Sequence, residues 1–505
     1  MGALGGRSQA EGPGSPRRHE RWSSCLRRRS AAQGRLIEAR LSEQTHRTRA
    51  APPGAALFTS DKRTIPVTAH LPSALLKDDA PVKLIDPARH RLWPILETEE
   101  KQAVERVLSR GVLSGNFAPE ALALQEEFSE YVGAKYALLT HSGTSALILA
   151  LAAAGIGPGD EVIVPAYTFV ATAQAVLSVG ATPVFADVDP RTGLIDEQEV
   201  VRWLSPRTKA IMPVHVHGCP FDIDALKKLA DARGLILLED AAQAHGATYR
   251  GKPVGALAAG GGFSFQSSKN LGAGEGGIYV TGELERAELA NQVRNFGHDL
   301  SLAEGRLNDL RRPLDGWRSL NSQRLGSMYR GNEMMAALAR SLLKKLPART
   351  RAAQENAARL SARLAKLPGV LPPHVPEDRT TVHHKYRVRI DRKAAGLEEF
   401  SATVVRDALL SALKATGFEA TLWERAPQTH HKIFSEAKNL PESVLENYKA
   451  RFPKTEELLD GSFLLFTQSC PLIAQDAETV DAYASAFERF WEHRRAIVLS
   501  AAKAG

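Results

Sequence analysis

The chain has 505 residues, 43% of them apolar and 24% charged, with a formal net charge of +8. That length leaves room for two or more domains with large cores, and the composition is that of a soluble globular protein. No apolar run approaches the roughly 20 residues of a membrane span, and the three cysteines, Cys25, Cys219 and Cys470, form no CxxC pair, which argues against a disulfide framework or zinc module and fits a reducing cytosol.

The charge is unevenly placed. Residues 1–50 hold eleven arginines, four glutamates and no lysine or aspartate, so the rest of the chain is close to neutral. The basic balance therefore describes a tail and argues against a nucleic-acid-binding body. Residues 1–66 have few large apolar side chains and are expected to be disordered, with weak helical character over 31–43. Arg17-Arg18 and Arg27-Arg28-Arg29 lack the apolar stretch of a secretory signal. The Arg-rich, acid-poor composition is compatible with a transit peptide, an acid-binding tail or an extension without function.

Val67 to Trp93 reads as extended. Glu97–Ser109 is an amphipathic helix, and Ala118–Val132 is a second one that stops at Gly133. Strand 136–139 then runs into Ser142-Gly143-Thr144-Ser145 and a helix of Ala and Leu. A helix start has free N–H groups and a favourable dipole for an anion, and Gly143 permits close approach, so this is a candidate phosphate cradle. Taken alone, it reads sooner as an ordinary N-cap by Ser142 or Thr144. Strands at 161–165, 182–187, 210–215 and 235–239 alternate with helices up to 179 and at 196–203 and 223–232, the pattern of an α/β domain with a mostly parallel sheet. Ligands of such sheets sit beyond the C-terminal ends of the strands, where 140–145, Tyr167-Thr168-Phe169, 215–218 and 240–243 all fall.

Asp240 ends the buried strand LILLED, a costly place for an acid without a cationic partner. A protonated pyridine nitrogen would be such a partner, with Gln243 within reach of the ring hydroxyl. The stretch FSFQSSKNLGAGEGG, 263–277, puts Lys269 between a short strand and a glycine-rich turn. A half-buried lysine is costly unless neutral, paired or covalently used, and imine formation with pyridoxal 5'-phosphate is the commonest use. By itself Lys269 would be a surface lysine. His215 and His217 would share a face on a strand, but no third ligand lies close in sequence, so a metal site is not expected. After residue 336 a long helix to 364, a strand at 386–390 and helices at 398–416 and 477–497 suggest a smaller α/β domain.

The segments SGTSALILALAAAGIGPGDEVIVPAYTFVATA, GATPVFADVD, EDAAQAHGA, FSFQSSKNLGAGEGG and, less closely, YRGNEMMAALARSLLKKL resemble the DegT/DnrJ/StrS sugar aminotransferases. The resemblance covers about 97–490. It implies the type I fold of pyridoxal-phosphate enzymes, with a disordered extension over 1–66, a large cofactor domain over 67–335 and a small C-terminal α/β domain over 336–505. It implies that Lys269 joins the cofactor and later moves the proton, and that Asp240 pairs with the pyridine nitrogen. Gln243 lies near the ring oxygen, Phe169 stacks on the ring, and Gly143, Thr144 and Ser264 hold the phosphate. Members with histidine in place of the lysine act as dehydratases, so Lys269 argues against that branch.

The implied protein is a cytoplasmic homodimer. It moves an amino group from glutamate or glutamine to a keto group of a nucleotide-linked sugar or cyclitol. The AGEGG ending looks like the cyclitol and aminobenzoate-forming branches. A pyridoxal-phosphate dehydratase or lyase on the same scaffold is one alternative, and a non-catalytic regulatory protein with a nucleic-acid-binding tail is another. The family's Asn-Tyr-Arg is Met328-Tyr329-Arg330 here, which puts a phosphate contact from the partner subunit in doubt unless Asn332 or another group replaces it. The arginine-rich stretch 298–327 (Arg306, Arg311, Arg312, Arg318, Arg324) reads either as a loop shaping the site or as solvated surface.

Overall fold

The structure, a computed structural model, describes residues 71–72, 75–77, 80–115, 118–298 and 322–504. The expectations for the basic tail and for most of the arginine-rich stretch lie outside these residues. Gln323 and Ser327, at the end of that stretch, donate their N–H groups to the carbonyls of Gly297 and Val293. Among the described residues, no helix is long and apolar enough to cross a membrane.

Two helices lead in. The first, α1 (Thr98–Arg110), starts with a capping box between Glu97 and Glu100 and stops at Gly111, whose φ of 75° suits a residue without a side chain. The second, α2 (Pro119–Val132), ends in the same way at Gly133.

The main sheet is built from β1 (Tyr136–Thr140), β2 (Glu161–Pro165), β3 (Thr182–Ala186), β4 (Thr208–Ile211), β5 (Ile236–Leu237), β6 (Glu239–Asp240), β7 (Gly261–Ser264) and β8 (Gly277–Thr281). Two four-stranded halves, β1-β8-β7-β6 and β3-β2-β4-β5, meet where β5 runs into β6. The handover occurs at Leu238: the strand pairs with β4 before it and with β7 after it. Every pairing is parallel except the two made by β8, which is antiparallel to β1 and β7. Residues of β2 are buried along its whole length, as expected of an apolar strand flanked on both sides. Helix α3 (Gly143–Ala153) is buried almost all round, so its Ala and Leu residues carry no amphipathic stripe.

The long helix Glu333–Leu364 follows and packs against α1 and α2. An antiparallel sheet with strand order β9 (Val370–Leu371), β10 (Tyr386–Ile390), β12 (Ser462–Leu465), β11 (Ala420–Thr421) has its own apolar core with Leu409, Phe463, Phe487 and Trp491. Leu71, Leu75 and Ile85 join that core from the lead-in segment.

The boundaries differ from expectation at several places; the helix expected over 398–416, for one, starts at Ala402 behind the Ser401 cap. The strand expected over 210–215 is continuous only to Ile211: Met212 still donates to the Ile163 carbonyl, Pro213 has no N–H to continue the ladder, and a single parallel bridge from Val214 to Asp240 follows. His217 then takes a left-handed φ of 58°. The strand expected over 235–239 is the two-piece β5–β6, and the helix expected over 477–497 breaks at His493.

Candidate active site

A cavity of about 380 Å³ opens at the C-terminal ends of β1, β6 and β7, a size that suits a cofactor and part of a substrate. Its lining contains all seven residues that the sequence singles out: Gly143, Thr144, Phe169, Asp240, Gln243, Ser264 and Lys269. Stretches more than 120 positions apart converge because each ends or follows a strand of one sheet.

One wall is the start of α3. The Ser142 hydroxyl accepts from the Ser145 N–H at 3.1 Å, which fixes the first helical turn. A side chain at Gly143 would place its Cβ 2.6 Å from the Cβ of Ser264, so only glycine lets the helix start lie against the end of β7. The Ser264 hydroxyl is thus held beside the free N–H groups of that turn. Phe169 stands at the mouth, 52% exposed. Gln243 lies deeper, its Oε1 accepting from the His217 N–H at 2.9 Å.

Asp240 is the buried acid. Its Oδ2 accepts from the Thr172 hydroxyl at 2.7 Å and its Oδ1 from the Ala242 N–H at 3.1 Å. Burial raises its pKa, and the two hydrogen bonds and nearby Lys269 only partly offset that. Lys269 follows a turn in which its N–H donates to the Gln266 carbonyl at 2.8 Å. Its own carbonyl accepts from the Trp93 indole N–H at 3.0 Å. Enclosure by protein lowers the Lys269 ammonium to about 8, with Asp240 pulling the other way. An amine of that pKa is partly neutral near physiological pH and can act as a nucleophile or take up a proton.

Several lining residues escaped the sequence reading. Thr172 lies three positions after Phe169, a spacing that places both on one side of a helix start, and this is the signal that could have found it. His384, Trp423, Gln468 and Glu275 also line the cavity. Trp423 stands in the loop after β11, whereas His430 and His431 farther along are exposed and away from the cavity. His215 and His217 do not share a face. The His215 Nε2 lies 3.0 Å from a Glu239 oxygen, whereas the His217 Nε2 lies 2.7 Å from the Tyr167 hydroxyl. Met328 is 46% exposed and does not line the cavity. Asn332 is used elsewhere, its Oδ1 accepting from the Met335 N–H at 2.9 Å to cap the long helix.

The chemistry of these donors fits pyridoxal phosphate. Among the described residues Asp240 has two neutral donors and no direct cationic partner, leaving it free to meet a protonated ring nitrogen. The Gly143–Ser264 contact leaves backbone N–H groups and a hydroxyl for a phosphate.

Known proteins share this architecture. The sequence profile of the DegT/DnrJ/EryC1/StrS aminotransferase family matches residues 94–465. An L-glutamine:2-deoxy-scyllo-inosose aminotransferase of Streptomyces lividus is 40% identical over 307 residues, 59% of this chain and 70% of that protein. A dTDP-3-amino-3,4,6-trideoxy-alpha-D-glucose transaminase of Streptomyces venezuelae is 39% identical over 300 residues, 59% of this chain and 74% of that protein. The crystal structure of 3-amino-5-hydroxybenzoic acid synthase superposes with a TM-score of 0.68 and 32% identity, covering 79% of this chain and 99% of that one. The chain belongs to the DegT/DnrJ/EryC1/StrS aminotransferase family and has its type I fold.

Proposed function

We propose that the protein is a pyridoxal-phosphate aminotransferase that takes an amino group from glutamate or glutamine and passes it to a keto carbon of a nucleotide-linked sugar or cyclitol. The observation that carries the reading is the pairing, in one cavity, of a buried acid lacking a cation with a lysine whose ammonium is held near 8. Bound there, pyridoxal phosphate would supply an electron sink for the pair left when a Cα–H bond breaks.

The chain's own residues supply the rest. Asp240, oriented by Thr172 and the Ala242 N–H, would keep the ring nitrogen protonated. Ser264 and the first N–H groups of α3 would hold the phosphate, Phe169 would cover the ring, and Gln243 would meet its oxygen. Lys269 would attach the cofactor and, once released, carry the proton to and from the substrate carbon; its loop is steadied by Trp93. The two relatives' names support both acceptor classes: one names a scyllo-inosose and L-glutamine, the other a dTDP-linked sugar. The reading brings with it a cytoplasmic homodimer.

The test is an absorption spectrum of the full chain with pyridoxal phosphate, beside Lys269→Ala. The expected result is a visible band that borohydride bleaches, that glutamate or glutamine shifts, and that the variant lacks. A band unmoved by either donor would redirect the reading to another reaction of the same cofactor. No band at all would overturn it.

A further inference from the structure

Behind the Trp423 wall of the cleft lies a second, smaller cavity of about 30 Å³. Its lining is cationic: Lys385, Arg387 and Arg389 alternate along and just before β10, joined by Arg191, His217 and His383, and among the described residues no acid lines it. The two rim arginines have acids nearby, since Arg191 pairs with Asp189 at 2.8 Å and Arg389 feels Asp189 and Glu457. The inner pair does not. Lys385 is 7% exposed and Arg387 8% exposed, and neither forms an ion pair among the described residues. Arg387 donates only to neutral groups: Ser462, Tyr167 and His217.

The histidine adds a further donor. Arg387 Nε–H donates to His217 Nε2 at 3.3 Å, and the Tyr167 hydroxyl lies 2.7 Å from the same nitrogen. A nitrogen that accepts from a guanidinium carries no proton, so the ring proton sits on Nδ1. That Nδ1 is buried and has no hydrogen-bond partner among the described residues. A buried lysine and a buried arginine lining one small space, beside a histidine with an unanswered N–H, are costly without an anion and stabilising with one. Burial and the neighbouring Lys269 hold Lys385 down to about 7, which is the cost of leaving its charge unanswered.

The cavity has room for about two water-sized groups, enough for a carboxylate and too little for a whole sugar. Trp423, which lines the cleft, lies edge-on to Tyr167 at 5.3 Å and to His217 at 4.9 Å, and His217 lines the small cavity. His384, next to Lys385, lines the cleft itself.

We propose that the cavity between Lys385, Arg387 and His217 binds one small anion of carboxylate size. Two sources have that chemistry: the carboxylate of the amino-acid donor, entering past Trp423, or a free anion. The donor source rests on the aminotransferase reading above; the anion site itself does not.

The full chain with its cofactor is crystallised and soaked in sodium bromide, and in solution it is titrated with sodium formate against sodium sulfate at matched ionic strength. Anomalous density between Lys385 and Arg387, and a formate-dependent rise in Tm of about 2 °C or more, are expected. Both should vanish in Lys385→Met, and Lys385→Arg should restore them. No bromide in the cavity, or a formate response unchanged by Lys385→Met, would overturn the proposal. Formate kinetics then separate the sources: competition with the amino donor identifies the donor's carboxylate, and inhibition or activation without competition identifies a free anion. If the chain transfers no amino group, the bromide and formate results still stand, so the two failures can be told apart.

Discussion

Glu239 and Asp240 are adjacent, both buried, and face opposite sides of the main sheet, yet their surroundings differ sharply. On the Glu239 side, four donors meet one carboxylate: the N–H groups of Leu257 and Ala258 on Oε1, and the Gly255 N–H and His215 on Oε2, at 2.6–3.0 Å. On the Asp240 side there are two donors and a cavity. A saturated buried acid ties loops together, whereas an under-served one is free to act on something that enters. Depth alone does not separate these two acids; the count of donors does.

The comparison can be broken experimentally. The largest effect is expected at Lys269, the group facing the unsaturated acid: Lys269→Ala should lower turnover by about 10⁴-fold, measured in single-turnover assays with glutamate. Next come the two acids. Asp240→Asn should cost about 10²–10³-fold in turnover with little change in Tm. Glu239→Gln should instead cost about 3 kcal/mol of stability, read by denaturant unfolding, because an amide N–H₂ would face donors. The reverse outcome, a dead Glu239→Gln enzyme of normal stability, would end the distinction drawn here. Thr172→Val removes one of the two donors to Asp240 and should reduce kcat/KM about tenfold. The smallest effect is on pH dependence. Only neutral Lys269 attacks a carbonyl, and its neutral fraction grows as pH rises. Cofactor-free protein should therefore capture pyridoxal phosphate faster up to about pH 8 and level off above it. A flat profile between pH 6 and 9 would show that the lysine is not held down as described.

What the sequence disclosed follows from how the cleft is made. Gly143, Asp240, Ser264 and Lys269 sit in short strand–loop units whose residue types and order carry their meaning locally. The opposite wall has no such local signature. Trp423, Gln468 and His384 reach the cleft from loops beside the strands of the C-terminal sheet, and nothing in the residues around them announces that contact. Trp93 lies 176 positions from Lys269 and touches it through a side chain, a pairing that periodicity cannot show. The strand misjudged over 210–215 failed for a local reason, Pro213, that was legible and outweighed by the apolar run before it. His215 and His217 parted because the backbone turns between them, and a two-residue spacing keeps a common face only while the strand lasts.

The lead-in segment has a practical bearing on shortened versions of this chain. The N–H of Leu84 donates to Thr416, that of Trp93 to Ser469, and Gln475 grips both the N–H and the carbonyl of Arg91, before the Trp93 indole reaches the lysine loop. A clone begun at residue 94, where the family profile starts, would look complete by homology and would have lost the strap that ties the C-terminal region to the Lys269 loop. A start near residue 66 keeps it.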